Sequence, residues 1–183
     1  ELAACNAGSL NYLKIRKDGN WAWPPALFDN PVEKVKRFLD VMRTHGVIPE
    51  FECFDTGIVR SVSMYKANAM FDGDPHLSFV MGVDSGMPAC PELLPILKDE
   101  LPPNAHWQVI ATGPGREKIW NLHRRCLELG GDGKAGQAVG LVPPPAARAK
   151  LVVTRKAQAA RNQKILAQLD ELLAACKSAR LAP

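Results

Sequence analysis

Apolar positions in this chain fall into two alternating periods. Short runs at Leu2–Leu10, Ile48–Asp55, His76–Val83 and His106–Ala111 read as strands, and a further strand is expected near residue 131. Between them lie segments with helical spacing. Asn30-Pro31-Val32-Glu33 reads as a helix start, with Asn as cap, Pro at the first position and Glu three residues after the cap. Val32, Val35, Phe38, Leu39 and Met42 then share one face, and Gly46 is placed to end the helix. Asp55-Thr56-Gly57 suits a second helix start, followed by Ile58, Val62, Tyr65 and Ala69 and stopped at Asp72-Gly73-Asp74-Pro75. Pro91 opens a third helix through Leu93, Leu94 and Leu97, and Ile119, Trp120, Leu122, Cys126 and Leu127 mark a fourth. The stretch from Lys17-Asp18-Gly19-Asn20 to Trp21-Ala22-Trp23-Pro24-Pro25 reads as an irregular loop pinned by its tryptophans.

Alternating strands and helices predict βα units on a parallel sheet, as an open doubly wound sheet or part of a (β/α)8 barrel. The run His76–Val83 is apolar almost throughout, which suits a parallel strand buried on both faces. Functional groups in such folds gather beyond the C-terminal strand ends.

One strand departs from the apolar pattern. In Ile48-Pro49-Glu50-Phe51-Glu52-Cys53-Phe54-Asp55 the two-residue repeat puts Glu50 and Glu52 on one face and Phe51 and Cys53 on the other. Carboxylates on a buried strand need a cation, a metal or a substrate. The alternative is a half-exposed edge strand with a wet acidic face.

Composition changes this picture little. The chain has 183 residues, 46% hydrophobic and 23% charged, which suits one globular domain with a sizeable core. No apolar run is long enough to span a membrane, and none is expected to contact one. Cysteines 5, 53, 90, 126 and 176 are scattered and odd in number, which points to a reducing cytoplasm rather than a disulfide framework. Histidines 45, 76, 106 and 123 form no closely spaced pair, so no metal ligand is assigned within the chain. Charge is uneven: residues 133–183 carry nine Lys/Arg against two acids, and residues 1–132 fourteen against seventeen. A basic segment invites a nucleic-acid reading, but no aromatic follows Trp120 to stack on bases, so a solvated basic helix is preferred. After Val142-Pro143-Pro144-Pro145, residues 155–177 read as one Ala-rich helix with Ile165, Leu169, Leu172, Leu173 and Cys176 on a stripe.

Several segments together resemble a known family. They are Gly8-Ser9-Leu10-Asn11, Pro49-Glu50-Phe51-Glu52-Cys53-Phe54-Asp55, Met81-Gly82-Val83, His106-Trp107-Gln108-Val109 with Gly113, Gly115 and Arg116, and Gly130-Gly131. In order and spacing this set is similar to the β-keto acid cleavage enzymes, whose founding activity is 3-keto-5-aminohexanoate cleavage. The resemblance covers about residues 1–136 and leaves 137–183 as a divergent Pro-marked linker and basic helix. It implies a zinc-dependent (β/α)8 TIM barrel that converts a β-keto acid and acetyl-CoA into acetoacetate and a shortened acyl-CoA. On that alignment the chain holds about the fourth to eighth strands, an incomplete barrel. Two zinc ligands of the family, an H-x-H pair, would lie before it. The family's eighth-strand R-x-G-x-E-D is replaced by Lys134, Gly136, Ala138 and Val139, which removes a metal ligand and an aspartate.

By the same resemblance Glu52 and Glu50 are the expected catalytic carboxylates, with Glu52 favoured as the one nearer the strand's C-terminal end. Ser9 and Asn11 are expected to line the substrate pocket, and Gly113, Gly115 and Arg116 to hold the CoA diphosphate after the seventh strand. An open barrel leaves unpaired edges, so a homo-oligomer or a missing N-terminal half is the expected partner. Two functions are thereby set against each other: a fragment or degenerate copy of the enzyme, or a non-catalytic remnant that binds CoA or an acyl ligand or serves only in assembly.

Overall fold

A computed structural model describes residues 1–112 and 116–133 and the single position 167; the side chains of 116–118 and 133 are not among those described. Five parallel strands form the main sheet in spatial order β1 (Leu2–Asn6), β4 (Ile48–Cys53), β5 (His76–Met81), β6 (His106–Ala111) and β7 (Asp132–Gly133). Strands that neighbour each other in space are thus joined through helices: α1 (Val32–Thr44), α2 (Thr56–Ala67), α3 (Leu94–Asp99, entered by a 3-10 turn at Pro91–Leu93) and α4 (Arg116–Glu128). This is the predicted βα alternation. The strands of the sheet lie where the apolar runs placed them, although the first ends at Asn6 rather than continuing to Leu10.

Register divides the sheet cleanly. Cys5, Phe51, Leu77 and Trp107 stand in one cross-strand row, and Asn6, Glu52, Ser78, Gln108 and Asp132 in the next. Odd-numbered strand residues, among them Phe51, Cys53, Leu77, Phe79, Met81, Val109 and Ala111, pack with Val35, Leu39, Val59, Val62, Leu94, Leu97 and Leu122 of the helices into the core. Even-numbered residues face the other way and are mostly polar. Burial of the apolar face at roughly 25 cal/mol per Å² drives the layering, so the polar residues collect on the face that the helices do not cover.

Local chemistry accounts for the helix ends. Asp55 accepts a hydrogen bond from the Ile58 amide (2.7 Å) and caps α2 as expected. Gly46 takes a left-handed φ of 64° just past α1, again as expected. Asn30 does not cap α1. Pro31 occupies that position, and its carbonyl accepts from Lys34 and Val35, while Asn30 is turned inward to bond the Gly8 carbonyl. Ala69 lies beyond the end of α2 with a φ of 52° instead of extending its face.

The segment read as an irregular loop contains structure. β2 (Leu10–Tyr12) and β3 (Ala26–Phe28) pair antiparallel, and Tyr12 stacks on Trp23 with ring centroids 5.2 Å apart. Three-residue strands are too short for a two-residue repeat to show in sequence. The predicted helix at 155–177, position 167 apart, and the boundary at 136–137 lie outside the described residues, as do Lys134, Gly136, Ala138 and Val139.

Candidate active site

The uncovered face of the sheet carries a polar network built across three strands. Glu50 on β4 is 7% exposed, yet its Oε1 accepts from the Ser78 hydroxyl on β5 (2.6 Å) and from the Gln108 side-chain amide on β6 (2.6 Å). Gln108 also donates to the Ser78 oxygen (2.7 Å), which closes a triangle. A buried carboxylate is tolerable only with such donors. Ser78 is fully buried, so its hydroxyl is committed to this network rather than to water.

Glu52 lies one pleat further along β4 on the same face, near the strand's C-terminal end, and is half-buried. It stands between Asn6 of β1 and Ser78 of β5. Asn6 Oδ1 is buried and accepts no hydrogen bond among the described residues. The charge of Glu52 reaches Cys5, whose thiol is pushed up to about 11, by burial first and by Glu52 second. Burial likewise raises the Cys53 and Cys126 thiols. None of the three supplies a thiolate near neutral pH.

At the opposite end of the strands His76 and His106 stack face to face, centroids 4.6 Å apart, in the same row as Glu50. Burial, then the neighbouring His106, lowers the pKa of His76; Glu50, Asp74 and Asp132 oppose that shift.

Loops at the C-terminal ends are locked to one another. Gly82, with φ 87°, follows β5, and a Cβ there would lie 1.8 Å from the Thr112 carbonyl oxygen that follows β6. The Thr112 amide donates to Met81 O (2.9 Å), Gly82 N to Met87 O (2.7 Å), and Met87 N to Phe54 O (2.8 Å). The segments that follow β4, β5 and β6 are thereby tied into one rim at the C-terminal end of the sheet, beyond the rows that hold Glu50 and Glu52. Tyr65 of α2 supports the end of β1 by donating to Ala7 O (2.9 Å).

The expected site residues fare differently. Glu50 and Glu52 share the polar face. Ser9 lies in the turn after β1, where its hydroxyl accepts from the Asn30 amide (2.7 Å), and Asn11 lies on exposed β2. Gly113 and Gly115 lie outside the described residues, and Arg116 is described only as the first residue of α4. The sequence reading passed over Asn6, Ser78, Gln108, His76 and His106. Their signal was present: each is a polar residue at an even position of an otherwise apolar strand. Among the described residues no three His, Cys, Asp or Glu side chains are grouped to hold a metal ion, and no helix is long and apolar enough to cross a membrane.

Comparison with known proteins decides the family. The sequence model of the beta-keto acid cleavage enzymes matches residues 1–182. The chain belongs to the β-keto acid cleavage enzyme family. A relative from Cupriavidus necator, 3-oxoadipate:acetyl-CoA acetyltransferase, is 31% identical over 140 residues, which is 74% of this chain and 44% of the relative. A second, the 3-keto-5-aminohexanoate cleavage enzyme of Fusobacterium nucleatum, is 27% identical over 110 residues, 60% of this chain and 39% of the relative. The chain thus aligns with less than half the length of either. Membership in the family agrees with the resemblance carried by the sequence motifs, and both relatives are named as enzymes.

Proposed function

We propose that this chain is part of an enzyme that converts a β-keto acid and acetyl-CoA into acetoacetate and a shortened acyl-CoA. It would supply the carboxylate side of the site, on five strands of a barrel completed by chain that precedes them or by a partner subunit. The observation that carries the proposal is the Glu50–Ser78–Gln108 network with Glu52 beside it on the same polar face. One carboxylate is held by the Ser78 hydroxyl and the Gln108 amide, and its neighbour two residues along is half-buried near the strand end.

Bond balance states what such a site must do. For C2 of the keto acid to bond to the acetyl carbon, a proton must leave C2, and the acetyl carbon–sulfur bond must break to release the CoA thiolate. When the old C2–C3 bond breaks, the two-carbon acid fragment leaves as part of acetoacetate and C3 is taken by the CoA thiolate. A proton then returns to C2. One carboxylate reaching C2 can carry that proton out and back. We assign this task to Glu52, which is half-buried near the C-terminal end of β4, with Glu50 fixing the strand and the field around it. Asn6, with its unspent buried acceptor next to Glu52, suits a substrate or water donor. Ser9, Asn11, Gly113, Gly115 and Arg116 keep the substrate and CoA roles that the resemblance implies. Zinc dependence is also implied by the resemblance, but the described residues provide no three-donor set, and no step above is drawn through a metal.

The remnant alternative rests on the replacement of the family's eighth-strand acids by Ala138 and Val139; the buried Glu50 network and the enzyme names of both relatives support the enzyme reading over it. The test is acetoacetate formation from acetyl-CoA with 3-oxoadipate or 3-keto-5-aminohexanoate, zinc supplied, in the protein carrying this chain. Turnover is expected, and Glu52→Gln should lower kcat by about 10²–10⁴-fold, the usual contribution of a positioned acid–base group, with unfolding unchanged. No acetoacetate above the uncatalysed level, or full activity in Glu52→Gln, would overturn the reading.

A further inference from the structure

The β2–β3 hairpin is more than a pinned loop. If its large apolar residues served only to anchor it, they would be buried; instead the aromatic Tyr12 is 42% and Trp21 48% exposed, and the aliphatic Ile15 and Leu27 are each 60% exposed. It is nevertheless firmly seated on the rim. The Leu13 amide donates to Ser85 Oγ after β5 (3.1 Å), Lys14 pairs with Asp84 (4.0 Å), and Phe28 meets Phe54 after β4 edge to face (5.5 Å). Lys14 also lies 5.7 Å from the centroid of the Trp23 ring, and Arg16 is held by the Ala22 carbonyl (3.0 Å).

Charge sets this hairpin apart from its surroundings. Residues 10–28 hold Lys14, Arg16 and Lys17 against Asp18 alone, whereas residues 1–132 as a whole carry more acids than bases. Asp18 is turned inward to its own backbone turn, accepting from the Asn20 amide (3.0 Å). The hairpin is therefore a positive, aromatic island on a negative body, seated on the loops that follow β4 and β5. The Trp23 Nε1 donor is buried and finds no acceptor among the described residues.

We propose that the β2–β3 hairpin seats the adenosine 3′-phosphate end of a CoA thioester, with Tyr12 and Trp21 offered to the adenine ring and Lys14, Arg16 and Lys17 to the 3′-phosphate, the diphosphate being left to Gly113, Gly115 and Arg116. Exposed rings on a rigid two-stranded support suit base stacking, and flanking cations suit phosphate groups. This assignment rests on the acetyl-CoA reading above and names the part of the molecule that recognises the nucleotide end.

The test titrates the full chain with adenosine 3′,5′-bisphosphate, followed by quenching of tryptophan emission, and with CoA and pantetheine in parallel. Saturable binding that weakens with salt is expected for the bisphosphate and CoA and not for pantetheine. Tyr12→Ala should weaken bisphosphate binding roughly tenfold, the scale of one lost base–aromatic stack. Lys17→Glu, on an exposed side chain that leaves the fold intact, should weaken it as well. No bisphosphate binding, unchanged affinity in both variants, or equal binding of pantetheine and CoA would overturn the assignment. The two readings fail separately. Bisphosphate binding lost in the variants, without acetoacetate formation, keeps the hairpin seat and removes the catalytic reading. Acetoacetate formation with an unchanged KM for acetyl-CoA in both variants does the reverse.

Discussion

Replacing Ser78 by Ala tests whether the Glu50 network is an integral part of the fold. The hydroxyl is fully buried, donates to Glu50 Oε1 at 2.6 Å and accepts from Gln108 at 2.7 Å. Alanine removes one hydrogen bond to a carboxylate, about 1.5–3 kcal/mol, and leaves a Gln108 donor with one acceptor fewer. The expected loss is therefore about 2–3 kcal/mol. Gln108→Leu removes the amide donor to the same oxygen and the bond to Ser78, and should cost a similar amount. Because the three groups bond to one another, the double variant should depart from additivity by about 0.5–3 kcal/mol. Urea unfolding followed by tryptophan emission measures all four proteins, with a common m-value as the check on two-state behaviour. A Ser78→Ala loss under about 0.5 kcal/mol, together with strict additivity, would refute the view that the carboxylate is held by this triangle.

Further outcomes follow from other contacts. Gly82→Ala places a Cβ against Thr112 O at positive φ; about 1–2 kcal/mol of backbone strain and about 1–3 of overpacking should lower Tm by roughly 10 °C, and an unchanged Tm would show that the β5 and β6 loops are not interlocked. Tyr65→Phe loses the bond to Ala7 O and should cost about 1 kcal/mol in urea unfolding. His76 and His123 both have pKa values lowered from 6.5, His76 by burial and His106, and His123 by burial alone. A base with a depressed folded pKa binds its proton more readily when unfolded. Their contribution is thus complete above about pH 6.5 and is lost as pH falls below it. His123, with both ring nitrogens buried and unpartnered among the described residues, is the cleaner probe. His123→Leu should flatten the decline in urea midpoint between about pH 7.5 and 5.5, by at most about 1.4 kcal/mol per pH unit; an unaltered slope would place the titration elsewhere.

Much of this architecture was legible in the sequence, for reasons that remain local. The strands beginning at Ile48, His76 and His106 are bounded by turn residues and too short for buried helices, and Asp55 is an unambiguous cap. Period two alone put Glu50 and Glu52 on one face. Ser78 and Gln108 were not recognised as their partners, because which residues meet across parallel strands is set by packing of the connecting helices and not by neighbours in sequence. The same holds for His76 and His106, thirty residues apart and in van der Waals register. Asn30 followed the rule for a cap and was diverted by a tertiary demand, the Gly8 carbonyl and Ser9 hydroxyl needing a partner after β1. The hairpin was lost in a segment marked by Pro, Gly and charge, where its order comes in part from tertiary contacts to Ser85, Asp84 and Phe54.

The strict split of the sheet into an oily face and a polar face also bears on how the chain finds its pairing. Slippage of β4 by one residue against β1 and β5 would swing Glu50 and Glu52 in among Leu39, Val59 and Leu97, and turn Phe51 and Cys53 outward. A misaligned strand would have to bury two carboxylates without donors, so it would be rejected before the helices could settle over it. The acids thus act as proofreaders of strand alignment during folding, whatever else they do in the folded protein. An apolar replacement at both positions would then be felt first as a population of misregistered chains, detectable as slow or heterogeneous refolding.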